Sequence, residues 1–243
     1  MCDPIKKFFF PALFQINTQS FRYSGCFILP FISLLLCSAL CHGQTQTEDL
    51  DKAVTRLEQR YEAVDTVRGD YRQTYRGPGI EQVESGKFWL KKPGLMRLEC
   101  HDPEEKLFVA DGRESFHYVP LDHQVYVQPL TTSDLRNSPL GLLLGSEDIH
   151  KKYIFSWEED IRPKFDNTLL IRLKFRQTDP GYSFVVLEID RKDSMLKRIL
   201  IGEESGNTSE YVFTDVAVNT KIKSDIFQFK VPKGIRIIEM TEE

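Results

Sequence analysis

The sequence predicts an α+β fold, a curled antiparallel sheet of roughly ten or eleven strands with helices laid over its open side. Three observations carry that prediction. Apolar and polar residues alternate from Tyr71 almost to the end of the chain. Glycine, proline and aspartate turn signals recur at short intervals between the alternating runs. Only two stretches carry a helical pattern. Alternation puts successive side chains on opposite faces of a strand, and closely spaced turns without long helices between them describe a meander rather than a parallel sheet. A sheet wider than the usual four to six strands has to curl or close.

The N-terminus stands apart. Lys6, Lys7 and Arg22 precede an apolar run from Phe27 to Leu40, followed by Cys41, His42 and Gly43. A basic region, a short apolar core and small residues after it describe a secretory signal peptide. Roughly 14 apolar residues fall short of the roughly 20 that span a bilayer. Residues 1–43 therefore read as a cleaved leader and 44–243 as a single exported domain. Leu36 and Leu40, not small residues, precede Cys37 and Cys41, which argues against lipidation. Of five cysteines four leave with the leader, so Cys100 has no disulfide partner and reads as a small buried hydrophobe. The leader holds three basic residues and one acid, so the formal charge of −4 on the whole chain becomes −6 on the remainder. That balance argues against nucleic acid and against charge-driven attachment to an anionic membrane.

The exported part opens with a helix. Thr47 is placed to cap it, Glu48 and Asp49 suit its positive end, and Leu50, Val54, Leu57, Tyr61 and Val64 form one apolar stripe. Tyr71 and Tyr75 alternate with Arg72 and Arg76 before Gly77-Pro78-Gly79. Ile80 to Leu90 leads to Lys92-Pro93-Gly94, where proline has no N–H for a ladder and glycine accepts the turn. Phe88 and Leu90 share one face there, with Trp89 on the other. Beyond the turn, Leu95, Arg97 and Glu99 oppose Met96, Leu98 and Cys100. Further strands follow at Leu107–Ala110, Glu114–Val119 and Val125–Leu130.

Asn137 to Gly145 interrupts the pattern. Ser138 as cap, Pro139 at the first position and Gly145 at the end define a short apolar helix with Leu140, Leu143 and Leu144 on one face. A second helical turn is expected between Ser146 and Tyr153. Strands resume with Ile171–Phe175, Phe184–Ile189, Met195–Ile201 and Tyr211–Val218. Phe227, Phe229 and Val231 alternate with Gln228 and Lys230, and a last strand runs through Ile238. No H-E-x-x-H, G-x-S-x-G, phosphate-binding glycine loop or paired C-x-x-C is present, and the histidines lack ligand spacing. Glu104-Glu105, Glu158-Glu159-Asp160 and Glu203-Glu204 read as solvated turns. No enzyme, metal or cofactor is expected.

Gly86-Lys-Phe-Trp-Leu-Lys-Lys-Pro-Gly-Leu-Met-Arg-Leu98 resembles the G-x-hydrophobic-W-hydrophobic-K-R-P-x-hydrophobic-hydrophobic-R-W segment of the LolA family of periplasmic outer-membrane lipoprotein carriers. Leu107 to Gly112, Asn137 to Gly145 and Phe227 to Ile235 agree in order, and the likeness extends from Glu48 to Ile238. The resemblance implies a half-closed antiparallel barrel of about 11 strands with a helical lid over a hydrophobic cavity. It implies a periplasmic monomeric chaperone that takes acylated lipoproteins from an inner-membrane ABC transporter and delivers them to a LolB-like outer-membrane receptor, without stable membrane insertion. The other reading on the same scaffold is a lipid-sensing or regulatory module.

Lys92 stands where the family has the arginine tied to lid closure, so Lys92 and Pro93 are expected at the lid and cavity mouth. Lysine keeps the charge but not the planar fork of donors. The expected acyl-chain cavity residues are Leu50, Val54, Leu57, Phe88, Leu90, Leu95, Met96, Leu140, Leu143 and Leu144.

Overall fold

Alternation with a period of two builds one sheet. The computed structural model describes residues 49–130, 149–176 and 182–240, and among these twelve strands join in a single sheet. A first meander runs through β1 (Thr66–Gly77), β2 (Ile80–Lys91), β3 (Leu95–Asp102), β4 (Lys106–Ala110), β5 (Glu114–Val119) and β6 (Gln124–Pro129). A second runs through β7 (Tyr153–Trp157), β8 (Thr168–Phe175), β9 (Tyr182–Asp190), β10 (Leu196–Glu203) and β11 (Thr208–Val218). Antiparallel pairing of β1 with β11 joins the two meanders, and β12 (Arg236–Glu239) lies parallel to β6. The order β12-β6-β5-β4-β3-β2-β1-β11-β10-β9-β8-β7 leaves β12 and β7 as separate edges, so the sheet stays open.

The strand count exceeds the expected ten or eleven, and two stretches differ in layout from the expectation. Tyr153–Trp157, given no element by the sequence pattern, is the edge strand β7, and the helical turn expected between Ser146 and Tyr153 is, among the described residues, helix α2, Ile149–Lys152. Phe227 to Val231 alternates like a strand yet joins no ladder. Ser224–Phe227 is a 3₁₀ turn, Phe227 is buried, and the Phe229 ring packs on Phe116 and Tyr118 at 5.4 and 5.6 Å. Residues 219–235 are thus a strap across the outer face, where side-chain packing replaces backbone pairing. The expected helix 138–145 lies outside the described residues.

Register assigns each residue a side. Across β1 and β2, Val67 faces Leu90 and Gly69 faces Phe88; β3 then brings Met96 and Leu98 opposite Leu90 and Phe88. Ile199, Leu187 and Ile171 continue the row through β10, β9 and β8. These residues form one buried cluster, the inner face. Two glycines make room for it. A Cβ on Gly69 would press on the Phe88 ring at 3.1 Å and the Thr214 carbonyl oxygen at 2.9 Å. A Cβ on Gly86 would collide with the Glu99 carbonyl oxygen, at the register shift between β2 and β3. The glycine opening the Gly86–Leu98 segment is a packing requirement.

Helix α1 (Leu50–Glu62) covers part of the inner face. Its cap is Asp49, whose Oδ1 accepts the Asp51 N–H at 3.1 Å; Thr47 lies outside the described residues. Ala53, Val54, Leu57 and Tyr61 are buried in the inner-face cluster, and Leu50 is partly buried against it. At about 1.5–3 kcal/mol for each large apolar side chain, this stripe rather than helix propensity holds α1 down.

The outer face of the second meander is pinned by charge. Glu188 is wholly buried and accepts the backbone N–H groups of Lys164 and Phe165, the Thr168 hydroxyl, and Arg198 Nε at 2.6 Å. Arg198 Nη1 also donates to Glu210 at 3.0 Å, and Lys164 Nζ reaches the same carboxylate at 2.7 Å. Glu158, expected in a solvated turn, is buried; its carboxylate accepts from Arg172 and from the N–H groups of Asp160 and Ile161. Burial pushes the Glu210 and Glu158 carboxyls up. The hydrogen bonds from Lys164 and Arg198 to the first, and from Arg172 to the second, outweigh burial and hold both below the ordinary value.

Carboxylates lowered in the folded state stabilise it above their unfolded pKa and lose that contribution as pH falls through the folded value. Urea unfolding should therefore give constant stability above about pH 5 and a decline below about pH 4. Arg198→Met, which leaves the buried Glu188 without a cation and Glu210 with Lys164 alone, should lower stability at pH 7 by about 3–5 kcal/mol.

Candidate functional site: the inner face and its rim

Strand twist and the α1 stripe create a surface with a gradient. Beneath α1 the inner face is apolar: Val54, Leu57, Phe88, Leu90 and Met96 are all buried there, as is Phe213, whose ring meets Phe88 edge-on at 5.5 Å. Near the β7 edge, Tyr153, Phe175 and Tyr182 form an aromatic row with centroids 4.9 and 6.1 Å apart. Leu95 is placed differently from the other expected cavity residues. It pairs with Lys91 in the register and so shares the outer face with Arg97 and Glu99, because one step along a strand reverses the side chain. Leu140, Leu143 and Leu144 lie outside the described residues.

Away from α1 the inner face turns polar. Glu84 and Lys106 meet at 2.6 Å, both largely shielded from solvent, with Tyr71 and Cys100 beside them. Burial pushes the Cys100 thiol up, and Glu84 adds to this, so the sulfur is a neutral packing group rather than a nucleophile. Burial likewise raises the Tyr71 phenol. Sequence reasoning misses the Glu84–Lys106 pair, although period two from Phe88 through Gly86 places Glu84 on the Phe88 face. Among the described residues no group of His, Cys, Asp and Glu is arranged to hold a metal ion. No described helix is long and apolar enough to cross a membrane.

The rim is where α1 ends. The last carbonyls of a helix have no partner within it. Lys92 supplies one: its Nζ donates to the carbonyls of Tyr61 and Glu62 at 2.9 and 3.0 Å, and its backbone N–H donates to the Asp65 carbonyl at 2.9 Å. A cation at the negative end of the helix dipole adds to these bonds. Pro93 follows, exposed, in the β2–β3 turn. Tyr61 anchors the opposite side through its hydroxyl, which accepts the Leu196 N–H at 3.1 Å; burial pushes this phenol up to about 12.

Asn219, at the start of the strap, completes the rim, and no local motif announces it. Its Oδ1 accepts the Asp65 N–H at 2.8 Å, its Nδ2 donates to the Ala63 carbonyl at 3.0 Å, and its backbone N–H donates to the Thr66 carbonyl. It sits at φ 54°, a region asparagine tolerates better than most residues. The α1–β1 linker is thus held by β2 on one side and by the strap on the other.

An unclosed antiparallel half-barrel with one helix-bearing apolar face is the class this architecture defines. A crystal structure of an uncharacterized conserved protein from Thermus thermophilus has the same fold, with a TM-score of 0.50 at 12% identity over 78% of this chain and 98% of its own. The family model for the outer membrane lipoprotein carrier protein LolA matches residues 62–230. The outer-membrane lipoprotein carrier protein of Actinobacillus pleuropneumoniae serotype 7 is 30% identical over 189 residues, 76% of this chain and 83% of that protein. Its namesake from Bordetella avium is 27% identical over 192 residues, 78% and 88% of the two chains. The chain belongs to the LolA family.

Lys92→Met removes both side-chain bonds to the end of α1. Amide hydrogen exchange across Leu50–Glu62 should accelerate by roughly tenfold, the equivalent of about 1–1.5 kcal/mol, with the strands of β8–β10 unaffected.

Proposed function

We propose that this chain is a periplasmic carrier that shelters the acyl chains of lipoproteins against its inner face on the way to the outer membrane. The family supports this reading, and one observation carries it for this chain: the apolar inner face is covered by a helix tied at its C-terminal end by a few hydrogen bonds. α1 contributes its stripe to the inner cluster, yet Lys92 and Asn219 hold its end through side-chain bonds to the α1 end and the linker after it. Each such bond is worth about 0.5–1.5 kcal/mol net, or more where the donor is charged, so the arrangement is open to displacement by a bulky apolar ligand.

The energetics require a carrier of moderate grip. Burial is worth roughly 0.8 kcal/mol per CH₂, so two or three long acyl chains represent tens of kcal/mol and do not escape into water on a useful timescale. Transfer then passes between apposed apolar surfaces, with the receiver offering the better one, and needs no nucleotide site on the carrier. The donor in this reading is an inner-membrane lipoprotein-releasing ABC transporter and the acceptor a LolB-like receptor. Residues 1–43 serve as the export signal. Val54, Leu57, Phe88, Leu90 and Met96 contact acyl chains once α1 moves, with Leu50 at the margin.

Native mass spectrometry of protein recovered from the envelope should show a one-to-one complex with a lipoprotein; bound free lipid alone, or none, would contradict the reading. Lys92 holds its carbonyls with a single nitrogen, whereas arginine offers a planar fork. Lys92→Arg should hold α1 more firmly and slow lipoprotein transfer to the receptor several-fold. An unchanged transfer rate would remove Lys92 from the release step.

A further inference from the structure

The chain is acidic overall, but its charge is unevenly placed. Register puts Arg68, Arg72 and Arg76 of β1 on the outer face beside Lys87 of β2. Arg68, Arg72 and Lys87 are exposed, and none has an ion-pair partner among the described residues. The acids on this patch are Asp70 and Glu99, both half-buried and flanking Lys87 in the ladder, and Glu81; Glu99 pairs with Arg97 at 2.7 Å and Glu81 with Arg76 at 2.8 Å. Trp89, half-buried, lies between Arg68 and Arg97 in the ladder.

The strap extends the patch. The Thr66 hydroxyl donates to the Thr220 carbonyl, and Lys91 Nζ donates to the Ser224 hydroxyl, which fixes residues 220–224 at the end of β1 and β2. Lys221 and Lys223 are exposed there. Between residues 219 and 240 there are five basic residues and two acids, and all five basic residues are exposed. Near the far end stand two exposed apolar side chains, Leu121 and Ile237.

We propose that this outer face, from Arg68, Arg72 and Lys87 across the strap, docks reversibly on a bilayer containing anionic phospholipid. Cations within a Debye length of such a surface are attracted to its phosphates, and a half-exposed tryptophan among them suits the headgroup level. An acidic protein partner would be matched by cations held in place, as Arg97 is held by Glu99 at 2.7 Å and by the Ile226 carbonyl at 2.9 Å. Arg68, Arg72 and Lys87 have no such fixed contact among the described residues, which fits a fluid array of headgroups. Docking by this face leaves the α1 side free for another protein. The proposal does not rest on acyl-chain carriage, and the two are measured separately.

The test is co-sedimentation of the purified chain with sucrose-loaded vesicles of phosphatidylcholine alone or mixed with phosphatidylglycerol, whose negative surface potential attracts exposed Lys and Arg. Binding to the mixed vesicles only, abolished at about 0.5 M salt, is expected. Arg68→Gln/Arg72→Gln/Lys87→Gln should weaken it by at least about tenfold while leaving the circular dichroism spectrum and the binding of a fluorescent fatty acid unchanged. Lys221→Gln/Lys223→Gln gives an independent second variant should the triple one misfold. Absence of vesicle binding, or equal binding by wild type and both variants, overturns the proposal. Binding to poly-glutamate without binding to vesicles also overturns it, in favour of an acidic protein partner.

Discussion

Pairing of β1 with β11 is the constraint on which the rest of the structure depends. It joins Val67 to Val218 and Tyr71 to Phe213, residues more than about 140 positions apart, and it fuses two meanders that are otherwise local. The register it sets decides which side chains of both halves look inward. A slip of β11 by one residue against β1 would send Tyr211 and Phe213 outward and turn Val212 to the inner face. The bulge between Arg68 and Asp70 sits next to Gly69, which gives the Phe88 ring its place on the inner face. Apolar continuity across the centre of the sheet is therefore a consequence of one long-range ladder.

The rim is held by a different kind of contact from the layout beneath it. Three segments distant in sequence meet at the end of α1 and the linker after it: the β2–β3 turn through Lys92, the start of β10 through Leu196, and the strap through Asn219. The contacts at Lys92 and Asn219 are polar and lie partly in solvent, whereas the α1 stripe is dry. Polar contacts of this kind set geometry at little net free energy, and apolar burial sets stability. A cover that must yield to a ligand without unfolding the sheet needs that division. The Glu188–Arg198–Glu210 network has the opposite character. It is buried and closely bonded on the outer face, so it fixes the second meander.

Much of this is legible in the residues. The Gly86 to Leu98 segment announces its two strands, its turn and its unlike faces, and the α1 stripe appears at its correct spacing. Alternation fails where no ladder accompanies it. Phe227 and Phe229 alternate because they pack down onto an existing sheet, and a single strand's pattern does not say whether neighbours bond to it. Apolarity groups Leu95 with the inner residues, although its parity with Arg97 places it outside. Asn219 and Glu188 are invisible for another reason: each derives its role from partners between about 10 and 160 residues away, on other strands and loops, and no local motif encodes that.

Net charge misleads in the same way, because it averages over faces. The count of −6 over residues 44–243 argues against anionic surfaces, yet acids and bases are not mixed evenly. The second meander and its loop consume charge in buried pairs such as Glu188–Arg198 and Glu158–Arg172, which present little field to solvent. The first meander keeps Arg68, Arg72 and Lys87 in water without ion-pair partners among the described residues, where they are felt within a Debye length. What a surface offers to a partner is the charge left over after internal pairing. An antiparallel sheet allows that remainder to differ in sign from the whole chain, since period two lets one face carry an apolar ligand while the other carries the charge.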